Sequence, residues 1–209
     1  MTEHGPRRSP AKRRAILDAA IKVFTDQGYA RTSVDAIAAV AGVGKQTVYG
    51  HFGDKEQLFL AAIQEARSAV STPLAGGDAE GTPGIALSGD PREDLTALGE
   101  RILDIALSPR VSALHRLTIA EVAHHPQLQR TWRESSASAD GAVVGYLRDR
   151  DADGRLRVPD PARAARQFSH LVITEGRVET AYGMLPLRPE RRHAIAADAA
   201  DLIVRAHHP

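Results

Sequence analysis

The sequence predicts an all-α protein of nine helices in two domains, and three observations carry that expectation. Apolar residues return every three to four positions through almost every segment, which puts them on one face of a helix. Alternating runs of β-branched residues, the mark of half-buried strands, are missing. A helix-opening device, a capping residue followed by proline, recurs at Ser9-Pro10, Asp90-Pro91, Ser108-Pro109 and Asp160-Pro161.

Each element follows from local chemistry. The first helix opens at Ser9 and Pro10, lines up Ile16, Ala20, Val23 and Phe24, and stops at Gly28. Ser33 caps a short second helix whose inner residues are Val34, Ile37, Ala38 and Ala41. After Gly42 and Gly44, a third short helix from Lys45 to His51 places Val48 and Phe52 four apart. Asp54 caps a fourth helix carrying Leu58, Phe59, Ala62, Ile63, Ala66 and Val70. From Ser71 to Asp90 the chain holds five Gly and two Pro without a sustained period, which predicts a flexible linker. Four helices follow, with inward sets Leu95, Leu98, Ile102, Ile105, then Val111, Leu114, Thr118, Val122, then Leu128, Trp132, Ala139, Val143, Tyr146, then Ala165, Phe168, Val172. The third of these opens at His125-Pro126. A last helix after Pro189 carries Ile195, Ala199, Leu202, Ile203 and Ala206. The resulting division is a flexible basic arm (1–9), a three-helix domain (10–53), a connecting helix (54–71), a linker (72–90) and a second helical domain (91–207).

Composition removes several function classes. The 209 residues are 43% hydrophobic and 25% charged, ordinary globular material. No apolar run approaches the roughly 18 residues that span a bilayer, so no membrane partner is expected. No apolar stretch follows the basic start of the chain as a secretory signal requires, and the expectation is a cytoplasmic protein. The absence of cysteine excludes disulfides, thiolate nucleophiles and cysteine-ligated zinc. Net charge is +1, but residues 1–52 hold eight basic against four acidic residues and the remainder 19 against 22. The surface that seeks a polyanion lies at the N-terminus.

The segment Thr32 to Phe52 has the spacing of a helix-turn-helix. Two helices that cross steeply need a turn without bulk, which Ala41 and Gly42 supply. The second helix needs an inner stripe, Val48 and Phe52, so that Lys45, Gln46, Thr47, Tyr49 and His51 project outward. Gln pairs with adenine and Lys reaches guanine O6/N7, while Thr, Tyr and His donate to phosphates or touch thymine methyls. Lys55 joins its charge to a helix N-terminus, a good phosphate seat. The basic run Arg7, Arg8, Lys12, Arg13, Arg14 reads either as an arm that follows phosphates or dips into a minor groove, or as a solvated, frayed tail.

With these residues in place, Arg13 to Ile63 resembles the DNA-binding domain of TetR-type transcriptional regulators. The match rests on Phe24…Gly28-Tyr29, Thr32-Ser33-Val34, Ile37-Ala38, Ala41-Gly42-Val43 and Thr47-Val48-Tyr49…His51-Phe52…Lys55…Leu58. Gly44 stands where the family often has a Ser or Thr cap, and Gly50 replaces a larger DNA-facing side chain. The resemblance implies an N-terminal three-helix reading domain, with Thr32, Ser33 and Gly50 added to the DNA-facing set. It further implies a C-terminal ligand-binding and dimerisation domain, here with some likeness to AefR-like domains from Ile102 to Gln167, and a homodimer on a palindromic double-stranded DNA operator.

In the second domain His115, Trp132, Tyr146, Phe168, His170 and Glu175 are polar or aromatic residues on or beside apolar faces, and form the candidate lining for an unidentified small molecule. Phe168, Leu171, Val172, Val178, Ile195, Ala199, Leu202 and Ile203 give the last two helices a wide apolar arc, suited to a four-helix dimer seam. Asp149, Asp151, Asp153, Gly154 and Asp160 carry an EF-hand-like spacing, against which stand Asp at the twelfth place and the cancelling Arg150, Arg155 and Arg157. Glu121, His124 and His125 are possible metal ligands that read more simply as a polar helix end. No nucleophile elbow or zincin signature is present, so no metal, cofactor or enzyme activity is expected. The expected function is a homodimeric repressor released from its operator by a small apolar or amphipathic ligand. The alternative is a DNA-binding regulator whose second domain docks a protein.

Overall fold

A computed structural model describes residues 9–68, 85–126 and 141–209. Among the described residues are nine helices and no strand: α1 (Pro10–Gln27), α2 (Val34–Ala41), α3 (Lys45–Phe52), α4 (Lys55–Ser68), α5 (Pro91–Ala106), α6 (Pro109–Glu121), α7 (Gly141–Ala152), α8 (Pro161–Glu179) and α9 (Pro189–Ala206). Arg7 and Arg8, residues 72–84 of the expected linker, and the Leu128, Trp132 and Ala139 part of the expected seventh helix lie outside the described residues. Val143 and Tyr146 of the expected helix fall in α7, which runs from Gly141 to Ala152.

The chain divides into two compact units. The first contains α1 to α4 together with residues 113–126, so most of α6 belongs to it. Its core is Ile16, Leu17, Phe24, Ile37, Leu58, Phe59 and Ile63, joined by Leu114 and Leu117 of α6. Three aromatic rings knit it together: Phe24 meets Phe59 edge-on at 5.0 Å between centroids, and Tyr29 lies 4.7 Å from Phe59. The edge of one ring facing the quadrupole of the next adds to the area buried.

The second unit packs α5, α7, α8 and α9 around Leu95, Leu98, Leu103, Val143, Leu147, Phe168, Val172 and Ile195. Helix α5 approaches α9 closely because Gly99 has no side chain: a Cβ there would stand 2.9 Å from the Ala196 Cβ. Asp94, only 2% exposed, closes the α5 end of this core. It accepts from Ser88 N at 2.6 Å, Gly89 N at 3.1 Å and the Tyr146 hydroxyl at 2.9 Å.

The caps agree in part with expectation. Asp90, Asp160, Ser33 and Asp54 accept from backbone N–H groups of their helices' first turns. Ser108 does not; its hydroxyl donates back to Ile105 O at 2.9 Å. Ser9 stands at the N-cap without a side-chain bond.

The acidic stretch after α7 is a packed connection. Asp149 and Asp151 lie in the last turn of α7, and the Asp151 carboxylate accepts from Val158 N at 2.7 Å. Asp153 pairs with Arg150 at 3.0 Å, and Leu156 and Val158 are buried. The Asp151 and Asp153 carboxylates thus take donors of the chain itself. His125 likewise turns to Glu56, with 3.0 Å between Nδ1 and Oε1, and stacks edge-on to Tyr29.

Candidate DNA-reading head

Helix α2 begins under the Ser33 hydroxyl, which accepts from Ala36 N at 3.1 Å, and ends at Gly42. Gly42 adopts φ 64°, a left-handed conformation that side chains resist, and its N–H together with that of Val43 returns to Ala39 O and Ala38 O. The chain thereby reverses within three residues and starts α3 at Lys45. Gly44 supplies no capping side chain, and the first turn of α3 is held only by Thr47 N and Val48 N on Gly44 O.

Helix α3 buries Val48 at 1% exposure and half-buries Phe52. Lys45, Gln46, Tyr49 and Gly50 are exposed along the opposite edge, with Thr47 and His51 half-buried at its flanks. One seated stripe and one open polar edge make an element that can enter a major groove without disturbing its own core. The Arg13 guanidinium lies 5.4 Å from the centre of the Phe52 ring, which brings a cation of α1 to the end of α3.

Two sequence-predicted contacts take a different place. Thr32 is 3% exposed, and its hydroxyl donates to Gly28 O at 2.7 Å. Its own N–H goes to Tyr29 O, so Thr32 secures the turn after α1. Lys55 is half-buried, with its ammonium 4.4 Å over the Tyr29 ring and 3.5 Å from Ala30 O. Burial pulls its pKa below the ordinary 10.5, opposed by the charge of Glu121. Ser33 stays exposed while serving as cap.

One residue escaped the sequence reading. Asp35, in the first turn of α2, holds the Lys45 ammonium at 2.7 Å and raises its pKa by that hydrogen bond and by its charge. A first-turn acid reads simply as a partner for the helix dipole, so the sequence offered no signal for a link across ten positions.

In the second unit the expected small-molecule lining is dispersed. His115 belongs to the first unit, and Trp132 lies outside the described residues. Phe168 is fully buried core, and Tyr146 spends its hydroxyl on Asp94. Glu175 is exposed and pairs with Arg191 at 2.6 Å. The expected seam also divides: Phe168, Val172, Ile195, Ala199 and Ile203 are buried within their own chain. Leu171, Val178 and Leu202 are 41%, 65% and 56% exposed. A wide apolar arc on each helix served two faces, and only the outer one is open. An open groove of about 800 Å³ runs along it, bordered by His170, Leu171, Glu175, Val178 and Leu202.

The family profile described as AefR-like transcriptional repressor, C-terminal domain, matches residues 93–209, and that of the bacterial regulatory proteins of the tetR family matches residues 16–62. The chain belongs to the TetR family. This TetR-family protein is a DNA-binding transcriptional regulator, and α2 and α3 are its helix-turn-helix. It is 28% identical over 164 residues to the HTH-type transcriptional repressor Rv1474c of Mycobacterium tuberculosis, covering 78% of this chain and 79% of that one. A TetR-family regulator from Mesorhizobium loti superposes with a TM-score of 0.80 at 25% identity, over 96% of this chain and 100% of the other. The flavonoid-responsive regulator FrrA superposes with a TM-score of 0.75 at 27% identity, over 96% and 99% of the two chains. Among the described residues no helix is long and apolar enough to cross a membrane.

Proposed function

We propose that this TetR-family regulator is a homodimeric repressor that reads a palindromic operator with α3 in successive major grooves and is released by a small apolar or amphipathic molecule. The observation that carries the reading is the open edge of α3, Lys45, Gln46, Tyr49 and Gly50, above a buried Val48. In a dimer the two copies of α3 stand about one helical turn of DNA apart, roughly 34 to 36 Å. The exposed Leu171, Val178 and Leu202 supply the surface for pairing of α8 and α9 between copies. The likeness to a flavonoid-responsive regulator supports an effector of this class, with flavonoids as the first compounds to try. Ligand binding shifts the spacing of the reading heads through α4, and the coupling is reciprocal: DNA weakens ligand binding by the same factor. The protein acts on DNA in the cytoplasm.

The test is selection of a duplex from a random library, followed by Gln46→Ala. The variant changes base preference at one position per half-site, by about 1–3 kcal/mol for a lost bidentate pair. Uniform weakening on every sequence removes Gln46 from base readout.

A second reading has a specific observation behind it. Val178, Tyr182, Met184 and Leu185 are exposed around the α8–α9 connection, the kind of apolar surface that docks a protein. Release of the selected duplex by a flavonoid favours the small-molecule sensor; insensitivity to a broad panel of such compounds favours the docking reading.

A further inference from the structure

The reading head carries less positive charge than its task suggests. Between Thr32 and Gln57 the Lys and Arg residues are Lys45 and Lys55, against Asp35, Asp54 and Glu56. Both cations are already engaged, Lys55 over Tyr29 and Lys45 with Asp35. Two of the three acids have evident local work. Asp54 caps α4 by accepting from Gln57 N at 2.7 Å, and Glu56 meets His125 at 3.0 Å.

Asp35 stands in the first turn of α2, where its charge favours the helix dipole, but that role requires no partner on α3. The start of α2 is already capped by Ser33. The Asp35 and Lys45 side chains are 64% and 48% exposed, and ion pairs so open to water add little to stability. Yet the pair bridges the two helices of the motif and fixes the ammonium of the first residue of α3, the end that meets DNA.

We propose that Asp35 is a specificity-determining residue: it positions Lys45 for a base edge and penalises its use on phosphate. The inference rests on α3 being the reading helix. An ammonium has three donors, so Lys45 can keep Asp35 and still donate to guanine O6 or N7. A carboxylate facing a neutral base edge is tolerated. On a phosphate the same carboxylate meets like charge, and Lys45 must leave it. Because binding to arbitrary sequence is almost entirely phosphate contact, the penalty falls on non-specific complexes.

The experiment uses the full chain with a duplex selected from a random library and with the unselected random duplex, each titrated by fluorescence anisotropy from 50 to 300 mM salt. Asp35→Asn tightens binding to the random duplex about fivefold and steepens its log K against log salt slope by about 0.9, the value for one added phosphate contact. Affinity for the selected duplex changes less than about twofold, so the specificity ratio falls by the difference. In a Lys45→Ala background, Asp35→Asn leaves the slope on random DNA unaltered. Lys45→Ala alone weakens the selected complex and spares the random one, a result that stands even if the Asp35 variant fails to fold. Equal tightening on both duplexes, an unchanged slope, or a slope change that persists without Lys45 overturns the proposal. Failure of the wild-type protein to select any sequence instead overturns the reading of α3, and the inference with it.

Discussion

The Tyr146 hydroxyl donates to Asp94 Oδ2 across 2.9 Å and ties α7 to the first turn of α5 beneath a buried surface. Burial first, and then this bond, push the tyrosine ionisation above its ordinary 10.0. Tyr146→Phe leaves a buried carboxylate short of one donor and destabilises the protein by about 1–3 kcal/mol in urea unfolding at pH 7. The pH dependence has a definite sign. Above pH 10 the unfolded chain loses the tyrosine proton while the folded chain keeps it, so this contribution to stability falls as pH rises from there. Phenylalanine has no such proton, so the stability gap between wild type and variant narrows above pH 10. A gap that widens contradicts the assignment.

Thr32 separates a stabilising role from a DNA contact. Thr32→Val removes the hydroxyl from Gly28 O and retains the shape, at a cost of about 1 kcal/mol. Duplex affinity per folded molecule stays at the wild-type value in anisotropy titrations. A loss of affinity with unchanged stability restores Thr32 to the DNA-facing set.

Gly99 and Gly145 make opposite predictions from the same substitution. At Gly99 an added Cβ meets the Ala196 Cβ at 2.9 Å and its Cα at 3.3 Å, and backbone cannot step aside cheaply. Gly99→Ala destabilises by about 1–3 kcal/mol through overpacking, more than the helix gains. Gly145 has open space around it on α7, so Gly145→Ala stabilises by about 0.5–1 kcal/mol. Thermal denaturation of the pair reads both signs in one experiment.

Leu202 probes the outer face of α8 and α9. It is 56% exposed within its own chain, so Leu202→Glu keeps the helical circular dichroism signal. As part of the proposed seam it converts the dimer to a monomer in sedimentation at micromolar concentration, and operator affinity falls with it because two half-sites no longer bind together. A folded variant that remains dimeric places the seam elsewhere.

Local chemistry accounts for how much of this protein was legible before folding. The 3.6-residue period, the Asp-Pro openings of α5 and α8 and the Ala41-Gly42 turn each act within a few residues of chain, and α1 to α4 stand where those signals put them. The family resemblance from Arg13 to Ile63 rests on the same short-range grammar. Periodicity identifies an apolar arc but cannot say which neighbour covers it, which is why Phe168 and Leu202 share one expected seam yet lie at 0% and 56% exposure.

The sequence by itself determined the helical class, the position of the reading helix and its polar edge, because those depend on spacing along one strand of backbone. Tertiary structure alone decided the partners of polar groups that bond across helices. Lys55 rests on Tyr29, Lys45 is held by Asp35 across ten positions, and Asp94 meets Tyr146 across 52. The physical reason is range: propensity and capping act between near neighbours, whereas a buried or paired charge is settled by whichever donor the packing of distant helices delivers.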